Sequence, residues 1–352
     1  MRFCLLPPLS LFWLIPIVQG RFIRDLLNNA IGRSGEFEIT LAFKDVPFLH
    51  RLRYFFPARI QWQNTIAGDV VDVNDERLPT FEPTDCGPYP AAVDDLYICV
   101  SYTNMDGAGG IVGGGYASIY RLPSYLPIVG SMVFDQADVP GLRRDSLFRA
   151  SILSEMGTVL GLNLFAWDGK DLVTSATGSP PCVYKSESNA TREWRSLSGC
   201  SNSVPVESSF PDDAAIHCGH WDEVCMQNEI MTPNVQRRGP VSRVTIGALE
   251  DLGYQVDYSK ADNYGPADIA ASCRCSEPSS RALIRKASSQ SERKLSSSGF
   301  DAAVSYGKEL ISKHHSSMRQ ESDSVDTDYA IGNTAVVLVY ENGELFSVTT
   351  TL

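Results

Sequence analysis

The sequence predicts an α+β fold, and three observations carry the prediction. Two segments of period-two alternation, residues 37–44 and 96–102, flank a helical segment, and further strand-like sequence leads into a second helix. That order, strand, helix, strands, helix, stacks helices on a sheet in the first half of the molecule. From about residue 173 the chain is loop-rich and carries Cys182, Cys200, Cys218, Cys225, Cys273 and Cys275, which reads as a second half containing disulfides.

The chain opens with Arg2, an apolar run over residues 3–18 and a small-residue ending, Val18-Gln19-Gly20. The run is interrupted by Pro7, Pro8 and Pro16 and falls short of the roughly 20 apolar residues of a spanning helix. It reads as a secretory signal peptide over residues 1–20, and no later stretch has the makings of a transmembrane segment, so a secreted or cell-surface protein is expected. Cleavage removes Cys4 and leaves an even set from the nine cysteines, suited to disulfides in an oxidising compartment. A formal charge of −12, with no large basic block before about residue 270, argues against nucleic acid or an anionic membrane as partner.

After a short amphipathic piece at residues 22–31, Phe37, Ile39, Leu41 and Phe43 alternate with Glu38, Thr40, Ala42 and Lys44, the pattern of a half-buried strand. Pro57 suits the first turn of a helix that carries Ile60, Trp62 and Ile66 and stops at Gly68-Asp69. The second alternating strand, 96–102, runs into Asp106-Gly107-Ala108-Gly109-Gly110-Ile111-Val112-Gly113-Gly114-Gly115. This run lacks the Gly-Lys-Ser/Thr ending of a phosphate loop and reads as a hairpin or flexible loop. Residues 128–134 read as a strand, 135–138 as a turn, and a helix is expected from Leu142 through Glu155.

The end of that helix, Ser151-Ile152-Leu153-Ser154-Glu155-Met156-Gly157-Thr158-Val159-Leu160-Gly161, has the frame of a zinc-protease helix without its histidines. In H-E-x-x-H, imidazoles at i and i+4 share one helix face and grip the metal, and the Glu beside the first is the general base. Ser154 and Thr158 stand at the two ligand positions, Glu155 at the base position, and Gly161 where the chain must turn sharply. Leu153, Met156, Val159 and Leu160 form a stripe that any buried helix shows, so this window alone describes a core helix.

Downstream stand Cys218-Gly219-His220-Trp221-Asp222-Glu223-Val224-Cys225 and Asn228-Glu229-Ile230-Met231-Thr232-Pro233. With the helix they resemble the leishmanolysin family of secreted metzincin zinc endopeptidases, in which an insertion separates the helix from a third zinc histidine in an H-W segment, followed by an E-[LI]-M Met-turn. The segments 189–200 and 240–254 agree with the family, and the resemblance covers about residues 37–265. It implies a metzincin-like fold: an N-terminal twisted sheet with a backing helix and an active-site helix, then the loop-rich half. It also places His220 at the third zinc-ligand position and Met231 in the Met-turn, and implies zinc as cofactor and a protein or peptide as partner. It leaves the oligomeric state open.

Two of the three zinc imidazoles are replaced, so the expected binding of zinc is weak or absent. Three functions compete: an inactive homologue that binds peptides in the remnant cleft, an active endopeptidase with a rearranged metal site from His217, His220 and Glu155, and a structural or cell-surface scaffold. Asn189-Ala190-Thr191 is a glycosylation sequon. Cys218 and Cys225 bracket His220, and a disulfide between them competes with other pairings. The expected organisation is signal peptide 1–20, N-terminal segment 21–36, metzincin-like subdomains 37–172 and 173–275, a Ser/Arg/Lys-rich linker 276–299, and a helix plus β-hairpin extension 300–352 around Asn342-Gly343.

Overall fold

A computed structural model of the chain describes residues 35–80, 84–174, 182–209 and 216–275, together with the backbone of two C-terminal strands, 334–341 and 344–351. The signal peptide, the amphipathic piece at 22–31, the linker and the expected helix after residue 300 lie outside the described residues. The main sheet has six strands: β1 (Ile39–Lys44), β2 (Leu96–Thr103), β3 (Gly113–Arg121), β4 (Leu126–Asp135), β5 (Thr334–Glu341) and β6 (Glu344–Thr351), in the order β1-β2-β4-β3-β5-β6. Strands β1, β2 and β4 are parallel, β3 runs antiparallel to β4, and β5 joins β3 in parallel at Ile119–Arg121 before turning back as β6. The C-terminal hairpin is thus part of the sheet.

Strand β1 alternates as its sequence requires, with Ile39 in the core and Lys44 in solvent. Strand β2 alternates in sequence yet is buried on both faces. Leu96, Ile98, Val100 and Tyr102 meet the main core, while Tyr97 and Cys99 meet a second cluster of Val73, Leu78, Tyr89, Val93, Ile119, Ile128 and Val129. The disulfide Cys86–Cys99 fastens that second layer to the strand.

The backing helix starts well before Pro57. It runs as Phe48–His50, a π-helical stretch Arg51–Phe55, and α1 (Phe56–Thr65). In the π stretch Phe56 N–H reaches back five residues to the Arg51 carbonyl, and the chain enters Pro57 from this wider turn, so proline sits inside a helix instead of opening one.

The expected single helix from Leu142 is two: α2 (Val139–Arg144) and α3 (Phe148–Val159). Between them Ser146 adopts φ 61°, its N–H bonds the Arg143 carbonyl and Leu147 N–H bonds Leu142, a Schellman ending built without glycine. Helix α3 ends in the same way, with Gly161 (φ 100°) in the left-handed position and Leu162 N–H bonded to the Gly157 carbonyl, the sharp turn the sequence called for.

The remaining helices are α4 (Leu164–Gly169), α5 (Asn189–Ser198), α6 (Glu223–Met226) and α7 (Arg243–Leu252). Side-chain oxygens of Asn163, Ser188, Asp222 and Ser242 cap all four. One continuous apolar cluster extends from Phe37 to Ile269.

The disulfides are Cys86–Cys99, Cys182–Cys218, Cys200–Cys275 and Cys225–Cys273. Cys218 does not pair with Cys225. Residues 216–219 form a turn, with Cys218 at φ 62°, and residues 220–222 then run beside 205–207, held by Cys218 N–H to Glu207 O, Glu207 N–H to His220 O and Asp222 N–H to Pro205 O. Helix α6 then turns Cys225 toward Cys273.

Candidate functional site

Helix α3 is buried along nearly its whole circumference, from Phe148 to Val159, with Arg149 exposed and Thr158 half-buried. Its sheet face fits because two strands lack side chains where it crosses. A Cβ on Gly115 of β3 would stand 2.5 Å from the Glu155 carbonyl oxygen, and one on Gly130 of β4 would stand 2.5 Å from Val159 Cγ1. The glycine run therefore ends in a strand, and its last glycine, Gly115, together with Gly130 gives the surface on which the helix lies.

Glu155 sits at this contact. Its carboxylate accepts the Gly115 N–H, and burial, the larger effect, pushes the carboxyl up to about 7. On another side of α3, Trp62 donates its indole N–H to the Leu153 carbonyl at 3.0 Å. Met231 Sδ lies where it would be 2.8 Å from a Cβ on Gly157, the residue just before Thr158. The Met-turn sulfur thus packs against the helix turn that joins positions 154 and 158.

The segment bearing His220 is tied to the same place through the backbone. Trp221 N–H donates to the Met231 carbonyl at 3.0 Å. The Trp221 ring stacks on Trp167 at 4.9 Å, and its indole N–H donates to Thr245 Oγ1 at 2.8 Å. The Thr245 hydroxyl in turn donates to Glu229 Oε1. Glu229 also accepts Ser242 N–H on Oε1 at 3.0 Å and Met231 N–H on Oε2 at 2.7 Å. Burial raises this carboxyl against the opposing pull of the hydrogen bonds from Thr245, Met231 and Ser242. Glu229 is the clamp of the Met-turn and escaped the sequence reading; its one signal was an acid two residues before a methionine and a short way ahead of the Ser242 cap.

Ser154, Glu155 and Thr158 thus share α3, Met231 lies under that helix, and His220 immediately precedes the residue bonded to Met231. His217 goes elsewhere: its Nε2 lies 3.5 Å from Cys182 Sγ, beside the Cys182–Cys218 disulfide. Among the described residues, the clusters of three His, Cys, Asp or Glu groups close enough to share an ion are Cys182/His217/Cys218 and Asp69/Asp94/Asp95. Neither contains Glu155 or His220, so the rearranged set of His217, His220 and Glu155 is not assembled. His50 is half-buried among Tyr54, Tyr102 and Phe148, with Nδ1 3.0 Å from the Tyr102 hydroxyl.

The leishmanolysin family model matches residues 116–326, more than half of the chain, from the helix-bearing sheet through the Met-turn and beyond. The chain belongs to the leishmanolysin family. No curated protein matches it. Leishmanolysins are metallopeptidases and, as a family, zinc-dependent. The donors of this leishmanolysin do not fit that metal. Ser154 is 3% exposed, and the Thr158 hydroxyl is turned back on its own helix, 3.4 Å from the Ser154 carbonyl. Two neutral hydroxyls and one imidazole do not make the three-ligand set of a catalytic zinc site.

Proposed function

We propose that this chain is a secreted leishmanolysin homologue that lacks metal-dependent proteolysis and binds extended peptide or protein segments. The observation that carries the reading is the pair of hydroxyls at Ser154 and Thr158 on α3, the helix that packs against Met231 at Gly157, at the two positions where the family resemblance puts histidines. Serine and threonine hydroxyls are weak donors to zinc, and one imidazole lacks the affinity that three ligands supply together. Glu155 in this setting is a buried acid, hydrogen-bonded to Gly115, with no activated water to deprotonate.

Peptide binding is supported by the outer edge of β3. Its ladder with β5 covers Ile119–Arg121, and the β3 residues beside Glu155 are laddered to β4. A strand edge beyond its ladder can offer backbone donors and acceptors to an extended peptide. Secretion is supported by the signal-like N-terminus and four disulfides. Among the described residues no helix is long and apolar enough to cross a membrane.

The test is metal content. Protein secreted from eukaryotic cells and purified without chelator is expected to carry far less than one zinc per chain by elemental analysis; a full equivalent that disappears in His220→Ala overturns the reading. The double change Ser154→His with Thr158→His is expected to restore zinc uptake, since it completes three imidazoles over Met231. Zinc uptake without peptide hydrolysis would show that the cleft differs as well. A folded double variant that takes up no zinc would show that α3 and His220 do not face one another.

A further inference from the structure

The first turn of the helix at Phe48–His50 presents two adjacent large apolar side chains to solvent, Phe48 at 65% and Leu49 at 73% exposure. The turn is held in that attitude. His50 points inward, its ring against Tyr54, Tyr102 and Phe148, so the residues before it face out. Adjacent exposed apolar side chains on a fixed turn call for a partner more than scattered ones do.

The surroundings are basic. Lys44 ends β1, Arg51 lies over the Phe43 ring at 4.8 Å, and Arg53 and Arg143 both lie over the Tyr54 ring, at 5.7 and 6.0 Å. Arg144 adjoins them at the end of α2. Of these five cations, Lys44 is paired with Asp45 and Arg144 with Asp145. Among the described residues no carboxylate makes an ion pair with Arg51, Arg53 or Arg143. This corner is positive in a chain of formal charge −12. Because charges are screened beyond about 8 Å at physiological salt, a surface brought against the corner meets the local charge and not the total.

We propose that this corner is a peripheral docking surface for anionic phospholipid bilayers, with Phe48 and Leu49 entering the boundary between headgroups and acyl chains and Arg51, Arg53 and Arg143 facing the anionic headgroups. The shape favours lipid over protein. Two protruding side chains on one short turn give a folded partner little to bury, whereas a bilayer accepts protruding apolar groups with no complementary pocket and rewards basic residues beside them.

The test is co-sedimentation of the full secreted chain with vesicles of phosphatidylcholine alone or mixed with phosphatidylserine, at low and high salt. Binding to the mixed vesicles, weakened by salt, is expected. Arg53→Gln with Arg143→Gln should lower partitioning about 30-fold, from a contribution of about fivefold per basic residue. Phe48→Ser with Leu49→Ser should lower it on the order of 10-fold with the charge unchanged. All four side chains lie at the surface, and an unchanged thermal unfolding midpoint checks that the variants fold. Absence of binding to mixed vesicles, or binding that survives the Phe48→Ser and Leu49→Ser changes, overturns the proposal. Binding of soluble polyglutamate that needs Phe48 and Leu49 as strongly as the vesicles do would assign the corner to an acidic protein partner and overturn it as well.

Discussion

Glu155→Gln isolates the cost of keeping an acid on α3. Burial raises this carboxyl from 4.5 to about 7 in the folded chain. Below pH 4.5 the side chain is protonated in both the folded and unfolded states, and its contribution is fully present. As the pH rises from 4.5 towards 7 the unfolded chain ionises while the folded one keeps its proton, so folding becomes less favourable. Above 7 both are ionised and the loss is complete. At about 1.36 kcal/mol per pH unit the window is worth on the order of 3 kcal/mol. Glutamine keeps an oxygen to accept the Gly115 N–H and removes the titration. Urea unfolding of both proteins at several pH values from 4.5 to above 8 should therefore show the variant gaining on the parent by about 3 kcal/mol across that range. A difference that stays constant with pH would refute the reasoning. So would a parent protein that loses this slope when zinc is added at stoichiometric concentration, because a bound cation beside Glu155 would favour the carboxylate.

The disulfides predict that denatured, unreduced protein shows almost no titratable thiol. Removal of the 75-residue Cys200–Cys275 link by paired alanine substitutions should lower stability by about 4 kcal/mol, more than removal of the 13-residue Cys86–Cys99 link, as read by chemical unfolding. Gly115→Ala sets a methyl 2.5 Å from the backbone oxygen of Glu155, which has no flexible side chain to yield, so β3 and α3 must part. A loss of about 3 kcal/mol in urea unfolding is expected, and a neutral outcome would mean that the helix does not lie on this strand.

Much of this fold was legible because local pattern and burial agree. Strand β1 alternates and is half-buried, and Gly161 stands where a helix ends in the left-handed conformation. The failures have particular causes. Strand β3 was hidden because its first three residues are glycines, which propensity assigns to a loop; the approach of α3 accounts for Gly115, while a Cβ on Gly113 would meet Val133 and Phe134 of β4. The backing helix was started too late because proline was given its commonest helical position, and the π stretch that precedes Pro57 leaves no mark in sequence. The Cys218–Cys225 pairing rested on their bracketing of His220 and was weighed against others, and in space Cys218 meets Cys182 while Cys225 meets Cys273. Of the candidate site, the substituted positions were readable from one helix, whereas the Glu229 clamp joins the Met-turn to a helix cap 13 residues away.

The floor beneath α3 is tied by Glu229, which binds the Met-turn, the Ser242 cap and, through Thr245, the Trp221 indole. A loop whose shape is set by an organic anion in this way does not need a cation to keep its form. Replacement of the imidazoles on α3 one at a time would then pass through chains that all fold, each with the same hollow and a different inventory of donors. Chelators, which unravel proteins that depend on an ion for their shape, should leave this molecule standing. Such a frame stays open to new uses for its surface whichever donors it carries.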